Sequence, residues 1–171
     1  MYVHLLCQGD ERVSTGIHTH KPPHNGNLGE ALFPLPCACQ SLRRLTRLVT
    51  RIYDRELRKA GIEIAQFGLL TALATVREAN QKTLSAGFAI DSTTLTRNLV
   101  LLRRQGWISV RPGKDRRERV LRLTESGKRQ IATAQPHWEE AERRLRKTLR
   151  PRLWNEMQSV VSALTIAAAA S

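Results

Sequence analysis

Residues 84–124 read LSAGFAIDSTTLTRNLVLLRRQGWISVRPGKDRRERVLRLT, and this stretch decides the fold. A short apolar segment, Leu84 to Phe88, is followed by a tight connection, Ala89-Ile90-Asp91, and then by a longer amphipathic segment from Ser92 to Gln105. Asp91 and Ser92 are good N-cap types, because their side-chain oxygens can accept from the unpaired N–H groups that open a helix. Leu95, Leu99 and Leu102 recur at i, i+4 and i+7, which predicts one buried face. Thr93, Thr94, Thr96, Arg97 and Asn98 cluster near the helix start, several of them off that face. Gly106 stands where such a helix stops. Two helices joined by a tight turn, with polar residues early in the second, is how a helix-turn-helix places a reading head in the major groove.

The second half of the stretch predicts a β-hairpin. Trp107 to Val110 and Val120 to Leu123 carry strand-type residues. Between them lies a turn sequence rich in cations, Arg111-Pro112-Gly113-Lys114-Asp115-Arg116-Arg117. A hairpin with a basic tip beside a reading helix is a wing able to reach phosphates or a minor groove. From Asp91 to Arg122 there are nine Arg or Lys against three Asp or Glu, a local net charge of +6. Such a face releases counterions when it meets DNA.

STTLTRNLVLLRRQGWI and GKDRRERVLRLTESGK resemble the MarR family of winged-helix transcriptional regulators, over roughly residues 37–165. The diagnostic pieces are TLTRNL at 94–99, Gly106 ahead of the first wing strand, Asp115-x-Arg117 in the wing, and LTESG at 123–127. The resemblance implies a mainly α fold with a small β-hairpin wing: a winged helix-turn-helix with a dimerisation lobe made of N- and C-terminal helices. It divides the chain into an irregular N-terminal extension (1–36), a helical dimerisation region (37–60 and 125–166) and a DNA-binding winged helix (61–124).

Bulk composition agrees. A formal charge of +13 on 171 residues points to a polyanionic partner. No apolar run reaches membrane-spanning length, and the start, MYVHLLCQGDER, lacks the basic leader and apolar core of a signal peptide. The expectation is a cytoplasmic protein that does not engage a membrane. Three cysteines, an odd number, argue against a disulfide framework. His18, His20 and His24, with Cys37 and Cys39, fit no compact ligand spacing, so neither metal nor cofactor is expected. Phosphate loops and nucleophile–base constellations are also missing, which disfavours an enzyme.

Around the reading unit, Cys37 to Ala60 is predicted as a helix with the apolar stripe Leu42, Leu45, Val49, Ile52 and Leu57, closed by Gly61. Gln66 to Arg77 is predicted as a second, more buried helix. After the wing, Thr124 is a plausible N-cap for a long helix in which Gly127 reads as a mild flaw and Pro136 as a source of a kink. Pro151 suits the first turn of a last helix carrying Leu153, Met157, Val160, Val161 and Leu164. Apolar stripes at both ends of the chain exceed what a small winged helix covers. The resemblance implies that they interleave in a homodimer presenting two reading heads to a pseudo-palindromic operator.

Within the reading head, Arg97 can contact guanine through two hydrogen bonds and Asn98 can pair with adenine; the alternative for either is phosphate contact alone. Thr93, Thr94 and Thr96 can touch phosphate or a thymine methyl, or can bond back within the helix. Ser92 reads as a cap or a phosphate contact. In the wing, the family pattern implies that Asp115 orients Arg117 at the minor groove, with Lys114 and Arg116 on phosphates. CQSLRRLTRLVTRIYD is similar to the first helix of the peroxide-sensing OhrR branch, which implies redox sensing by Cys39 supported by Tyr53. Ile64 stands where that branch carries a further tyrosine, and the C-terminal helices lack a resolving cysteine. The alternative for Cys39 is a thiol buried in the dimer interface. Trp107, Phe67, Tyr53 and His137 could line a cleft for a small aromatic acid, with Phe67 and Trp107 in the core as the alternative.

The function expected is sequence-specific regulation of transcription on double-stranded DNA, as a repressor released by a small molecule or an oxidant. The alternative is a non-specific basic architectural or RNA-binding protein. That class stacks bases on aromatic rings, and aromatics are only 5% of this chain.

Overall fold

The computed structural model describes residues 37–113 and 119–170, which fall within one unit, Cys37–Ser171. Its order is α1 (Ala38–Leu57), a 3-10 turn (Arg58–Ala60), α2 (Ile64–Val76), β1 (Glu78–Asn80), α3 (Gln81–Phe88), α4 (Ser92–Arg104), β2 (Ile108–Pro112), β3 (Arg119–Leu123), α5 (Glu125–Thr148) and α6 (Pro151–Ala169). This is the mainly α winged helix-turn-helix expected, with one addition. β1 adds a third strand to the hairpin, making an antiparallel sheet in the order β1-β3-β2 with β3 in the centre. Ala79 faces Leu121 on one side of β3, and Val110 faces Leu121 on the other.

α2 is the hub. Phe67, Leu69, Leu70 and Leu73 are buried on more than one of its faces, so apolar contacts surround the helix rather than lying along one stripe. It packs against α1, α4, α5, β1 and β3. Phe67 stacks on Trp138 of α5, ring centroids 6.3 Å apart. Leu95, Leu99 and Leu102 of α4 enter the same core with Leu84, Ile108 and Leu121.

Helix ends explain where the segments stop. α1 gives way to the 3-10 turn after Leu57 instead of continuing to Ala60, and Gly61 takes φ +71°. α2 starts at Ile64, earlier than the periodicity suggests, because Glu63 and Gln66 form a reciprocal capping box. It ends at Val76, since Arg77 has φ 65° and leaves the helix for β1. α4 closes with Gly106 N–H bonded to Arg103 O (2.9 Å) and Trp107 N–H to Leu102 O (3.0 Å). That pattern needs a left-handed residue, and Gly106 supplies it at φ +69°. α3 closes in the same way, with Ala89 N–H on Ala86 O and Ile90 N–H on Ser85 O. There the left-handed position is filled by Ala89, φ 49°.

Gly127 is not a flaw. It is buried in the first turn of α5, and a Cβ there would lie 2.2 Å from the Trp107 carbonyl oxygen. The backbone passes that close because Thr124 N–H bonds Trp107 O (3.0 Å) and the Thr124 hydroxyl bonds Gly106 O (2.7 Å). The same hydroxyl caps Gly127 N–H at 3.0 Å. The start of α5 is thereby fastened to the end of the reading helix. α5 then continues as one helix through Pro136 to Thr148.

α1 and α5 meet around a charge that hydropathy did not forecast. Glu56 is 1% exposed, paired with Lys59 and with Arg144 at 2.8 Å. The Lys59 hydrogen bond holds its carboxyl below the usual carboxylate range. Elsewhere the outer helices are uncovered: Leu42, Leu45 and Leu48 of α1 are exposed, as are Leu153, Val160, Val161, Leu164 and Ile166 of α6. No residue of α6 is buried. Among the described residues no helix is long and apolar enough to cross a membrane.

Candidate nucleic-acid interface

α4 is held from three sides, so its exposed face has a fixed direction. Its buried stripe packs on α2, α3 and β2. Asp91 is the N-cap, accepting from Thr94 N–H at 2.8 Å and from the Thr94 hydroxyl at 2.7 Å. Those bonds, the hydroxyl's first, keep the Asp91 carboxyl below its ordinary range. Gln81, at the start of α3, donates to the Thr96 hydroxyl at 3.3 Å.

These contacts sort the sequence candidates. Thr94 spends its hydroxyl on the cap. Thr96 lies on the side facing α3. Asn98 is half-buried, and its amide donates back to Thr94 O at 3.0 Å, along the helix instead of outward. Ser92 is the first helical residue, and Asp91 does the capping. Thr93 and Arg97 are exposed and stand opposite the leucine stripe. Ser92 and Thr94 are exposed as well, on the flanks.

Beside α4, a cleft of about 390 Å³ opens toward the sheet, lined by Gln81, Thr96, Leu99, Val100, Arg103, Val110, Arg119 and Leu121. Arg103 and Arg119 bring positive charge to it. Arg122 is engaged elsewhere, in an ion pair with Glu78 across the β1–β3 register. Lys114, Asp115, Arg116 and Arg117 lie outside the described residues, and with them the Asp115–Arg117 arrangement that the family pattern implies.

Cys37 is the N-cap of α1 and Cys39 its second residue; both thiols are free and exposed. Tyr53 lies fourteen residues further along the same helix, about 21 Å away at the α-helical rise. Its hydroxyl donates to Glu142 of α5, and burial, reinforced by that carboxylate, pushes its pKa up. Within one chain Tyr53 therefore braces α1 against α5 and does not meet Cys39. Glu142 also holds Arg146 at 3.1 Å, and the Arg146 guanidinium lies 4.7 Å over the Trp154 ring of α6. Of the residues considered for an aromatic-acid cleft, Phe67 is buried in the core and Trp107 packs against it. Among the described residues no group of three or more His, Cys, Asp or Glu is placed to hold a metal ion.

No family model matches the chain. A curated relative, an uncharacterised HTH-type transcriptional regulator, YwoH of Bacillus subtilis (strain 168), is 26% identical over 88 residues, 52% of this chain and 64% of that protein. The chain thus spans less than two thirds of that relative. The crystal structure of the M. tuberculosis transcriptional regulator MosR in complex with DNA is similar at 30% identity and a TM-score of 0.65, covering 77% of this chain and 98% of that one. A cysteine-to-serine mutant of MarR from E. coli, complexed with operator DNA, shares the fold at 20% identity and a TM-score of 0.67, covering 74% of this chain and 91% of that one. With the helix-turn-helix, the three-stranded wing and the terminal helices in place, this chain belongs to the MarR family of winged-helix transcriptional regulators.

Proposed function

We propose that the protein works as a homodimer that binds a pseudo-palindromic operator in double-stranded DNA and represses the adjacent promoter. The observation that carries this reading is the pair of opposed stripes on α4. Leucines bury one side, and Thr93, Arg97 and Arg104 stand exposed on the other, which is the disposition of a major-groove reading helix. In this reading residues 61–124 form the DNA-binding part, Ser92, Thr93, Thr94, Thr96, Arg97 and Asn98 the groove-side set, and Lys114, Asp115, Arg116 and Arg117 the wing contacts. Residues 37–60 and 125–166 form the dimerisation part. The uncovered stripes on α1 and α6 support it, since an isolated helix such as α6 is marginal in water without a packed face. The protein is no enzyme in this reading, and it works in the cytoplasm where its DNA lies.

A duplex selected from a random pool, titrated with salt beside an unrelated duplex, tests the proposal. Sequence-specific binding gives a selected duplex held at least about a hundredfold more tightly, with both affinities falling steeply as salt rises. Equal affinities for the two duplexes would leave only a basic architectural protein.

The signal that lifts repression is an oxidant in this reading. Two exposed thiols, Cys37 and Cys39, sit at the start of α1, open to an oxidant from solvent. Hydrogen peroxide transfers one oxygen to a thiolate which, with a proton from solvent, gives a sulfenic acid and water, and a second thiol condenses with it to a disulfide, releasing water. Cys39→Ser should bind DNA as the wild type does and stay bound under peroxide. Release by peroxide in that variant would end the reading of Cys39 as the sensor.

A further inference from the structure

The outward stripe of α4 holds a residue that the polar candidates leave out. Thr93, Arg97, Val100 and Arg104 follow one another at i, i+4, i+7 and i+11, which is a single helical face about 16 Å long. All four are exposed, and Val100 keeps 44% of its surface open. A β-branched apolar side chain gains nothing from water and is a weak helix former. Here it stands in the middle of the face, between two arginines. The major groove offers one kind of apolar target along base edges, the 5-methyl group of thymine.

We infer that Val100 is a specificity-determining residue that reads a thymine 5-methyl group in the major groove. The inference rests on the DNA-binding reading above. Val100 lies three residues beyond Arg97, about 4.5 Å along the axis. That is one to two base-pair steps of the duplex, so the thymine is placed one or two pairs from the base that Arg97 contacts. One flank of Val100 borders the cleft shared with Thr96, Arg103 and Arg119, and 44% of its surface stays open on the helical face that also carries Thr93 and Arg97.

Deoxyuridine tests this directly, because it differs from thymidine by that methyl alone and keeps every base-edge hydrogen bond. In the duplex selected by the wild-type protein, each thymine is replaced singly and then in symmetry-related pairs. The wild type should lose about fourfold in affinity at one position per half-site, the value of one buried methyl-sized group, and about fifteenfold when both halves are changed. Val100→Ala should bind thymine and deoxyuridine duplexes equally at that position. Its thermal melt, matching the wild type, shows that the fold is intact. If no thymine is sensitive, Val100 merely closes the cleft and the inference is overturned. It is also overturned if Val100→Ala keeps the wild-type sensitivity, since another residue then meets the methyl. A wild-type protein that selects no duplex at all overturns the DNA-binding reading itself.

Discussion

Replacing Gly127 with alanine is a small change with a large expected effect. The added Cβ would stand 2.2 Å from Trp107 O, 2.6 Å from Leu123 Cδ1 and 3.1 Å from Trp107 C. Leu123 can rotate away, but the Trp107 carbonyl cannot move alone. It accepts from Thr124 N–H at 3.0 Å, and Thr124 is bonded again to Gly106 O at 2.7 Å. Relief therefore requires the first turn of α5 to lift off the end of α4. Overpacking of this kind costs about 1–3 kcal/mol, and weakening two hydrogen bonds adds about 1 kcal/mol each. Alanine's better helix propensity returns about 1 kcal/mol. The net loss is about 2–4 kcal/mol, or about 4–16 °C in Tm for a chain of this size. Gly87→Ala is the control, because its Cβ would meet nothing within 4 Å and should leave Tm equal or slightly higher. Thermal melts by circular dichroism, at equal protein concentration because dimerisation contributes to stability, give the comparison. A Gly127→Ala melt within about 2 °C of the wild type would refute the reasoning.

Ala89→Gly should stabilise the protein by about 0.5–1 kcal/mol in urea unfolding. It relieves a left-handed residue that costs about 1–2 kcal/mol, less glycine's own entropy loss of about 0.5–1 kcal/mol. The Asp91 carboxyl titrates below its unfolded value of about 3.9. Its contribution is therefore complete above about pH 4 and is lost as pH falls through the lower folded value. The Tm difference between wild type and Asp91→Asn should shrink as melts are taken from about pH 5 toward about pH 2.5. Leu164→Glu places a charge on the exposed stripe of α6 and should shift the sedimentation mass toward a single 19.3 kDa chain, with any loss of helix signal limited to the share of the uncovered α6.

Much of the fold is legible in the sequence because periodicity speaks clearly where one face is buried. Leu95, Leu99 and Leu102 mark α4, and Thr124 marks the start of α5. β1 is not legible, because only Ala79 of Glu78-Ala79-Asn80 is buried and three residues carry no period. The start of α2 escapes apolar spacing since its signal lies in the Glu63–Gln66 cap. Gly127 reads as a flaw in sequence because a close backbone approach depends on Trp107, twenty residues earlier. In the candidate interface the residue types are legible, but their directions are not. The turn of the Asn98 amide back to Thr94, and the use of the Thr94 hydroxyl by Asp91, depend on side-chain rotamers that no spacing rule gives. Val100 escapes notice because exposed valines are common and become informative only when the stripe they join is known. Glu56 is one more acid on a basic helix until α5 brings Arg144 against it.

The proposed meeting of the outward face of α4 with base edges is tested most directly by Arg97→Ala. Binding is measured on the selected duplex and on duplexes carrying each other base at the candidate guanine. Arg97→Ala should lose about 1–3 kcal/mol on the selected duplex and relax the preference at that one position. A variant that loses affinity equally on every sequence, or binds the selected duplex as tightly as the wild type, would contradict that contact with base edges.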